Sequence, residues 1–178
     1  LKVERASQYK SEYCDGLIYA MSGASFEHNL ISGNILAEFK KRLSKSCAVL
    51  PSDQRVSIPR AGESLGYFVY PDVTVVCGPP KFHSTRHDNL LNPGILVEVL
   101  SPATSRYDRE FKLSLYKQIE TVQAVLLVAQ DRPKVECNVR EPGRKWTSHN
   151  YTGLAAEVAL PGFKIAVPMS AIYFDIAF

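Results

Sequence analysis

Two carboxylates stand inside the most apolar runs of the sequence. Asp72 lies in Tyr67-Phe68-Val69-Tyr70-Pro71-Asp72-Val73-Thr74-Val75-Val76, and Glu98 in Gly94-Ile95-Leu96-Val97-Glu98-Val99-Leu100. An ionised acid buried without a partner costs several kcal/mol, so two of them on neighbouring segments point to a shared cation. A hard cation such as Mg²⁺ takes carboxylate and carbonyl oxygens and keeps several waters. Two carboxylates from adjacent strands, with one backbone carbonyl, meet that need. A plainer account lets Asp72 start a strand after Pro71 and cap a backbone group. Glu98 resists it, because Ile95-Leu96-Val97 and Val99-Leu100 bracket the acid.

Three further groups carry chemistry. Lys112 follows Asp108 at i,i+4, the spacing of an ordinary helix-surface pair. It also flanks the inward stripe between Phe111 and Leu115, where an ammonium could hold an attacking water or steady a phosphate. His28 precedes Ile31 by three residues and continues an apolar stripe. It reads as a general base, a phosphate contact or a hydrogen-bonded core histidine. Glu12, Glu27 and Glu38 read as surface residues, although one acid from this region fits a third carboxylate position. Cys77, His83 and His87 match zinc spacing only loosely and lack a fourth ligand.

The elements that must position these groups follow from periodicity. Residues 2–10 read as the tail of a short helix, residues 14–16 as a turn, and residues 17–21 as a strand. Ser25 is placed to cap a helix whose inner line is Ile31, Ile35, Phe39 and Leu43, ending in Lys40-Lys41-Arg42, where cations suit the helix dipole. Two strands, or one broken strand, are predicted at 47–50 and 54–58, a turn at 59–63, and one long strand over 67–76. A polar loop spans 77–93. The Glu98 strand then feeds a second helix over about 105–120, capped by Ser105, with Phe111, Leu115 and Ile119 inward. Ala124–Ala129 reads as a fully buried strand, followed by strands at 134–139 and through Trp146. Short β segments near Val158 and Ile165 and a helical turn near Ala171 close the chain. The order predicts an α/β (α+β) domain spanning 1–178, with a mixed central β-sheet, helices on both flanks and additional β-hairpins.

Composition narrows the setting without naming a partner. The chain has 178 residues and a net charge of +3, which permits a nucleic-acid partner without arguing for one. Its four cysteines form no C-x-x-C pair and read as buried, reduced thiols. No run is long enough to cross a bilayer, and the start Leu1-Lys2-Val3-Glu4-Arg5 is no secretory signal. The expectation is a soluble, cytoplasmic protein with no membrane partner. The absence of an initiator Met suggests that a few residues precede Leu1.

A wider pattern joins these residues. Lys10-x-Glu12-Tyr13-x-x-Gly16-x-Ile18, Met21-Ser22-Gly23-Ala24-Ser25-x-x-His28-x-x-Ile31, Tyr70-Pro71-Asp72-Val73, Val97-Glu98-Val99-Leu100-Ser101-Pro102-x-Thr104, Tyr107-Asp108-Arg109-x-x-Lys112-x-x-x-Tyr116 and Asp131-Arg132-Pro133-x-Val135 together resemble the Uma-two family, described as restriction endonucleases. That family is placed in the PD-(D/E)XK nuclease superfamily. The resemblance implies a restriction-endonuclease-like core and metal-dependent hydrolysis of phosphodiester bonds in DNA. Pro71-Asp72 matches the superfamily's PD, and Glu98 its second acid. The lysine two residues later is replaced by Leu100, which makes Lys112 the substitute from a nearby helix. On this reading Asp72, Glu98 and the Val99 carbonyl bind Mg²⁺ (or Mn²⁺). Lys112 orients the attacking water and His28 supports the site. Arg55, Arg106 and Arg109, each near a site-forming segment, are expected to contact phosphates, and a homodimer would suit double-strand cutting. The alternatives are a nuclease-like fold that binds nucleic acid without cutting it, and an oligomerisation module whose polar strand residues pair only internally.

Overall fold

Ser25 starts the first long helix as its spacing requires: its Oγ accepts the His28 N–H at 3.2 Å. This helix, α1, spans Phe26–Arg42, buries Ile31, Ile35 and Phe39, and closes with Lys40, Lys41 and Arg42 in its last turn. A computed structural model of the chain describes residues 6, 7, 9–14, 16–59, 66–83, 87–102 and 104–178. Most of the expected helix over 2–10 and of the turn at 59–63, and residue 15 of the turn at 14–16, fall outside the described residues.

The strands, in chain order, are β1 Ser11–Cys14, β2 Leu17–Ala20, β3 Cys47–Pro51, β4 Arg55–Ile58, β5 Tyr67–Val69, β6 Val73–Cys77, β7 Asn89–Leu90, β8 Ile95–Leu100, β9 Ala124–Ala129, β10 Lys134–Arg140, β11 Trp146–Thr152, β12 Glu157–Leu160 and β13 Ile165–Pro168. Six make the main sheet, in the order β11-β10-β9-β8-β6-β3, in which only the β8–β9 pair is parallel. The connection between β8 and β9 is the second helix, α2: a π-helical segment Tyr107–Lys112 that continues as α-helix Leu113–Tyr116. A second sheet runs β2-β1-β5-β4-β7, and β12 pairs with β13 as a separate hairpin before the short helix α3, Met169–Ile172. Among the described residues no helix is long and apolar enough to cross a membrane.

The expected mixed sheet with flanking helices is present, with one correction. The run 67–76 is two strands in two sheets, because Pro71 has no N–H to give a ladder. Tyr70-Pro71-Asp72 is the crossing between them, so Asp72 lies just ahead of β6. Alternation along β8 then sorts its side chains. Ile95, Val97 and Val99 pack with Ile31, Ile35 and Phe39 of α1, while Leu96 and Leu100 pack with Leu115, Tyr116 and Ile119 on the α2 side. Glu98 belongs to the second set, so it points toward α2.

The cysteine expectation holds for half of the thiols. Cys14 and Cys137 are free and buried. Cys47 and Cys77 are instead joined as a disulfide, because the β3–β6 register sets them directly opposite each other. The bridge closes a loop with a sequence separation of 30, for which the chain-entropy account gives about 3–4 kcal/mol. Adding dithiothreitol should therefore lower the urea midpoint of the wild type and leave a Cys47→Ser/Cys77→Ser double variant unmoved. Equal midpoints with and without reductant would show that the bridge does not contribute to stability.

Candidate active site

The strand carrying Glu98 ends at Ser101-Pro102, and the chain turns at once into α2. Ser101 Oγ accepts the Thr104 N–H at 3.1 Å, and the Ser101 carbonyl accepts that of Ser105 at 2.9 Å. Ser101, not the expected Ser105, therefore caps the turn. Four residues overshoot one turn of an α-helix, whereas the wider π turn falls short of a full turn in the same step. The π segment between Asp108 and Lys112, followed by α-helix to Tyr116, lets the two offsets cancel. Asp108, Lys112 and Tyr116 consequently share one buried line under Glu98. Phe111, expected inward, is displaced to a half-buried position.

Lys112 is 5% exposed and is shared by acids from three elements. Its Nζ lies 2.8 Å from Glu12 Oε1, 3.2 Å from Glu98 Oε1 and 3.6 Å from Asp108 Oδ1. Tyr116 is fully buried, and its hydroxyl donates to the same Glu98 oxygen. Glu12, read from sequence as a surface residue, is 4% exposed. It accepts the Tyr70 N–H at 3.0 Å and the Tyr107 hydroxyl at 3.3 Å. The signal that locates it is period two, since Glu12 and Cys14 are the buried positions of β1. Glu27 is exposed, and Glu38 pairs with Arg42 at 2.7 Å.

One ammonium among these carboxylates leaves an acidic excess, and the protonation equilibria respond. Burial pushes the Glu98 carboxyl well above its usual range; Lys112 pulls it down, and Asp72, Asp108 and Glu12 push it further up. Burial raises Asp108 as well, against Lys112 and a Thr104 hydrogen bond. For Lys112, burial favours the neutral amine, but Glu98, Glu12 and Asp108 outweigh it and raise its pKa. Lys112 is thus a fixed cation at neutral pH and no general base.

Asp72 is held from the other side. Its Oδ2 accepts the Val99 N–H at 2.7 Å and lies 3.2 Å from His28 Nε2, while its own N–H donates to Val97 at 3.0 Å. Burial lowers the His28 pKa, but the hydrogen bond and charge of Asp72 and a backbone bond to Val99 outweigh it, so the ring takes up a proton more readily than usual. Asp72 and Glu98 thus take their direct partners from opposite flanks, α1 and α2, and they meet electrostatically at the end of β8, where Asp72 raises the pKa of both Glu98 and Asp108. Val99, expected to offer its carbonyl, supplies the N–H that fixes Asp72.

The three arginines do not gather at this point. Arg55 is 7% exposed, its Nε on the Tyr70 hydroxyl at 2.8 Å and a further N–H on Asn89 Oδ1 at 3.2 Å, so its guanidinium is engaged inside the fold. Arg109 bonds Glu136 at 2.6 Å, and Arg106 bonds Glu110 at 2.9 Å with a side chain 87% exposed. Leu100, which replaces the usual lysine, is buried in the core on the α2 side. The loosely zinc-like trio is dispersed: Cys77 is disulfide-bonded, His83 meets Phe68 edge-on and His87 stacks on Phe82.

Comparison with known proteins follows the same lines. The profile of the Uma2 family, described as "Putative restriction endonuclease", matches residues 1–169. Two proteins of Synechocystis sp., described as uncharacterized proteins slr1290 and sll1609, are each 31% identical to this chain; the alignments cover 100% and 93% of it, and 90% and 92% of those proteins. A crystal structure described as a putative nuclease belonging to DUF820 from Anabaena variabilis superposes with a TM-score of 0.70. It covers 94% of this chain and 91% of that one at 17% identity, a likeness of fold.

Proposed function

We propose that this chain, which belongs to the Uma2 family, hydrolyses phosphodiester bonds in DNA with Mg²⁺ or Mn²⁺ held at Asp72 and Glu98. The donor set fits a hard divalent ion. It is made of carboxylate oxygens in acidic excess over one ammonium, and Mg²⁺ needs only one or two protein carboxylates beside water and phosphate. Among the described residues no group of three or more His, Cys, Asp or Glu side chains is arranged to hold a metal ion, so water and phosphate would have to supply the remaining ligands. A Val99 carbonyl completes the proposed set. When bound, the ion supplies Lewis-acid polarisation of the phosphate and acidifies a water.

The chain's own residues do the rest. Glu12 and Asp108 fix the Lys112 ammonium beside Glu98, where it steadies negative charge developing on the phosphate and orients the attacking water. His28 holds Asp72 from α1, and Arg106 offers the most exposed of the three cations to a phosphate. The observation that carries the reading is the convergence on Lys112 of acids from β1, β8 and α2, within the electrostatic reach of Asp72. Incubated with supercoiled plasmid and Mg²⁺ or Mn²⁺, the wild type should yield nicked and linear forms, and Asp72→Asn should not. Equal cleavage by the two would place the chemistry elsewhere. Leu100 at the usual lysine position favours a second reading, a binder that does not cut. That reading is selected if DNA binds while calorimetry detects no metal heat that depends on Asp72.

A further inference from the structure

Four aromatic rings run in file inward from the surface, the second of them in contact with the Lys112 cluster. Tyr19 of β2 is 44% exposed, and its ring lies 5.9 Å from that of Tyr107. Tyr107 stacks on Phe111 at 5.3 Å with 25° between planes, and Phe111 meets Tyr67 edge-on at 5.9 Å. The file is tied to the site at two points. The Tyr107 hydroxyl donates to Glu12 at 3.3 Å, and Lys112 Nζ stands 5.7 Å from the centre of the Tyr107 ring. Register explains the alignment: Tyr19 pairs with Glu12 across β1 and β2, so both side chains leave the same face toward α2.

Among the described residues no ring or ion pair caps the outer end. All of β2 is exposed, and its neighbour Ile18 is 61% exposed. Arg106 precedes Tyr107 in the chain, and its exposed side chain pairs with Glu110. A ring half in water and backed by a second ring suits a nucleobase. Stacking a base on such a ring is worth about 1–3 kcal/mol and tolerates any sequence. Bases inside an intact duplex already bury both faces on their neighbours. A second copy of the chain competes for this edge, but β2 offers only four residues, few beside the roughly 20–30 residues a side of a standard interface.

We infer that Tyr19, backed by Tyr107 and Phe111, is a stacking platform for an unpaired nucleobase, and that the substrate is DNA with single-stranded character. This rests on the nuclease reading and specifies its substrate class. Fluorescence polarisation in EDTA, with a 20-nucleotide oligo(dT), an abasic strand of the same length and a blunt oligo(dA)·oligo(dT) duplex, tests it without cleavage. The wild type should bind oligo(dT) at least about tenfold more tightly than the other two. Tyr19→Ala should weaken oligo(dT) binding by about 5- to 100-fold and leave duplex affinity and the salt slope unchanged; Tyr19→Phe should restore it. Equal affinity for oligo(dT) and the abasic strand overturns the proposal, as does a dimer that Tyr19→Ala converts to monomer in sedimentation. Base-dependent binding without cleavage at any metal concentration sinks only the hydrolase reading. Active cleavage with base-independent binding sinks only this one.

Discussion

Lys112→Met is expected to cost about 3–5 kcal/mol of stability at pH 8 in metal-free buffer, the magnitude for removing one partner of a buried ion pair. Methionine keeps most of the length and removes the single cation that Glu12, Glu98 and Asp108 face within 3.6 Å. Three buried acids then repel one another with nothing between them. The pH dependence has a definite sign. Burial already raises the Glu98 and Asp108 carboxyls above their unfolded values. Without Lys112 they rise further, so the folded variant binds more protons than the unfolded chain. Its stability is therefore full below the ordinary carboxylate range and is lost as pH rises through the raised values. The deficit against wild type should shrink steadily toward pH 4. Urea unfolding at pH 4, 6 and 8 reads this directly. A pH-independent difference, or one under about 0.5 kcal/mol at pH 8, would mean that the ammonium is not what holds these acids.

How much of this arrangement sequence shows depends on how each residue is positioned. α1 and β9 are legible because apolar period and caps agree: Ser25, the Ile31-Ile35-Phe39 line and the unbroken Ala124–Ala129 run admit one reading each. Glu98 is legible because no charged residue sits casually between Val97 and Val99. Glu12 is not, because β1 is only four residues long and its face shows in a single alternation with Cys14. The inward turn of Lys112 depends on the i→i+5 bond from the Leu113 N–H to Asp108, and helical wheels drawn at 3.6 residues per turn cannot contain it. Arg55 has the composition of a phosphate contact and the position of a core residue. Only the pairing of β4 with β7, which brings Asn89 beside it, decides between them. The Cys47–Cys77 bridge depends likewise on a register between strands far apart in the chain.

Glu98→Gln should act in the opposite sense on the same cluster: a more stable protein that no longer cleaves. Glutamine keeps an oxygen for the Tyr116 hydroxyl and the Lys112 ammonium and discards a charge that burial, Asp72, Asp108 and Glu12 all disfavour. Glu12 and Asp108 still neutralise Lys112, so removing the surplus buried charge is expected to raise stability at pH 8 without metal. Because the wild-type carboxyl is raised in the folded state, its penalty exists only above the ordinary carboxylate range, so the gain should vanish near pH 4, where both side chains are neutral. Cleavage should fall by at least about a hundredfold, since an amide binds a hard divalent ion far more weakly than a carboxylate does. Such a pairing of gained stability with lost activity separates a functional acid from a structural one. An acid kept only to neutralise Lys112 predicts the reverse, a loss of stability at pH 8, and that result would remove Glu98 from the metal site.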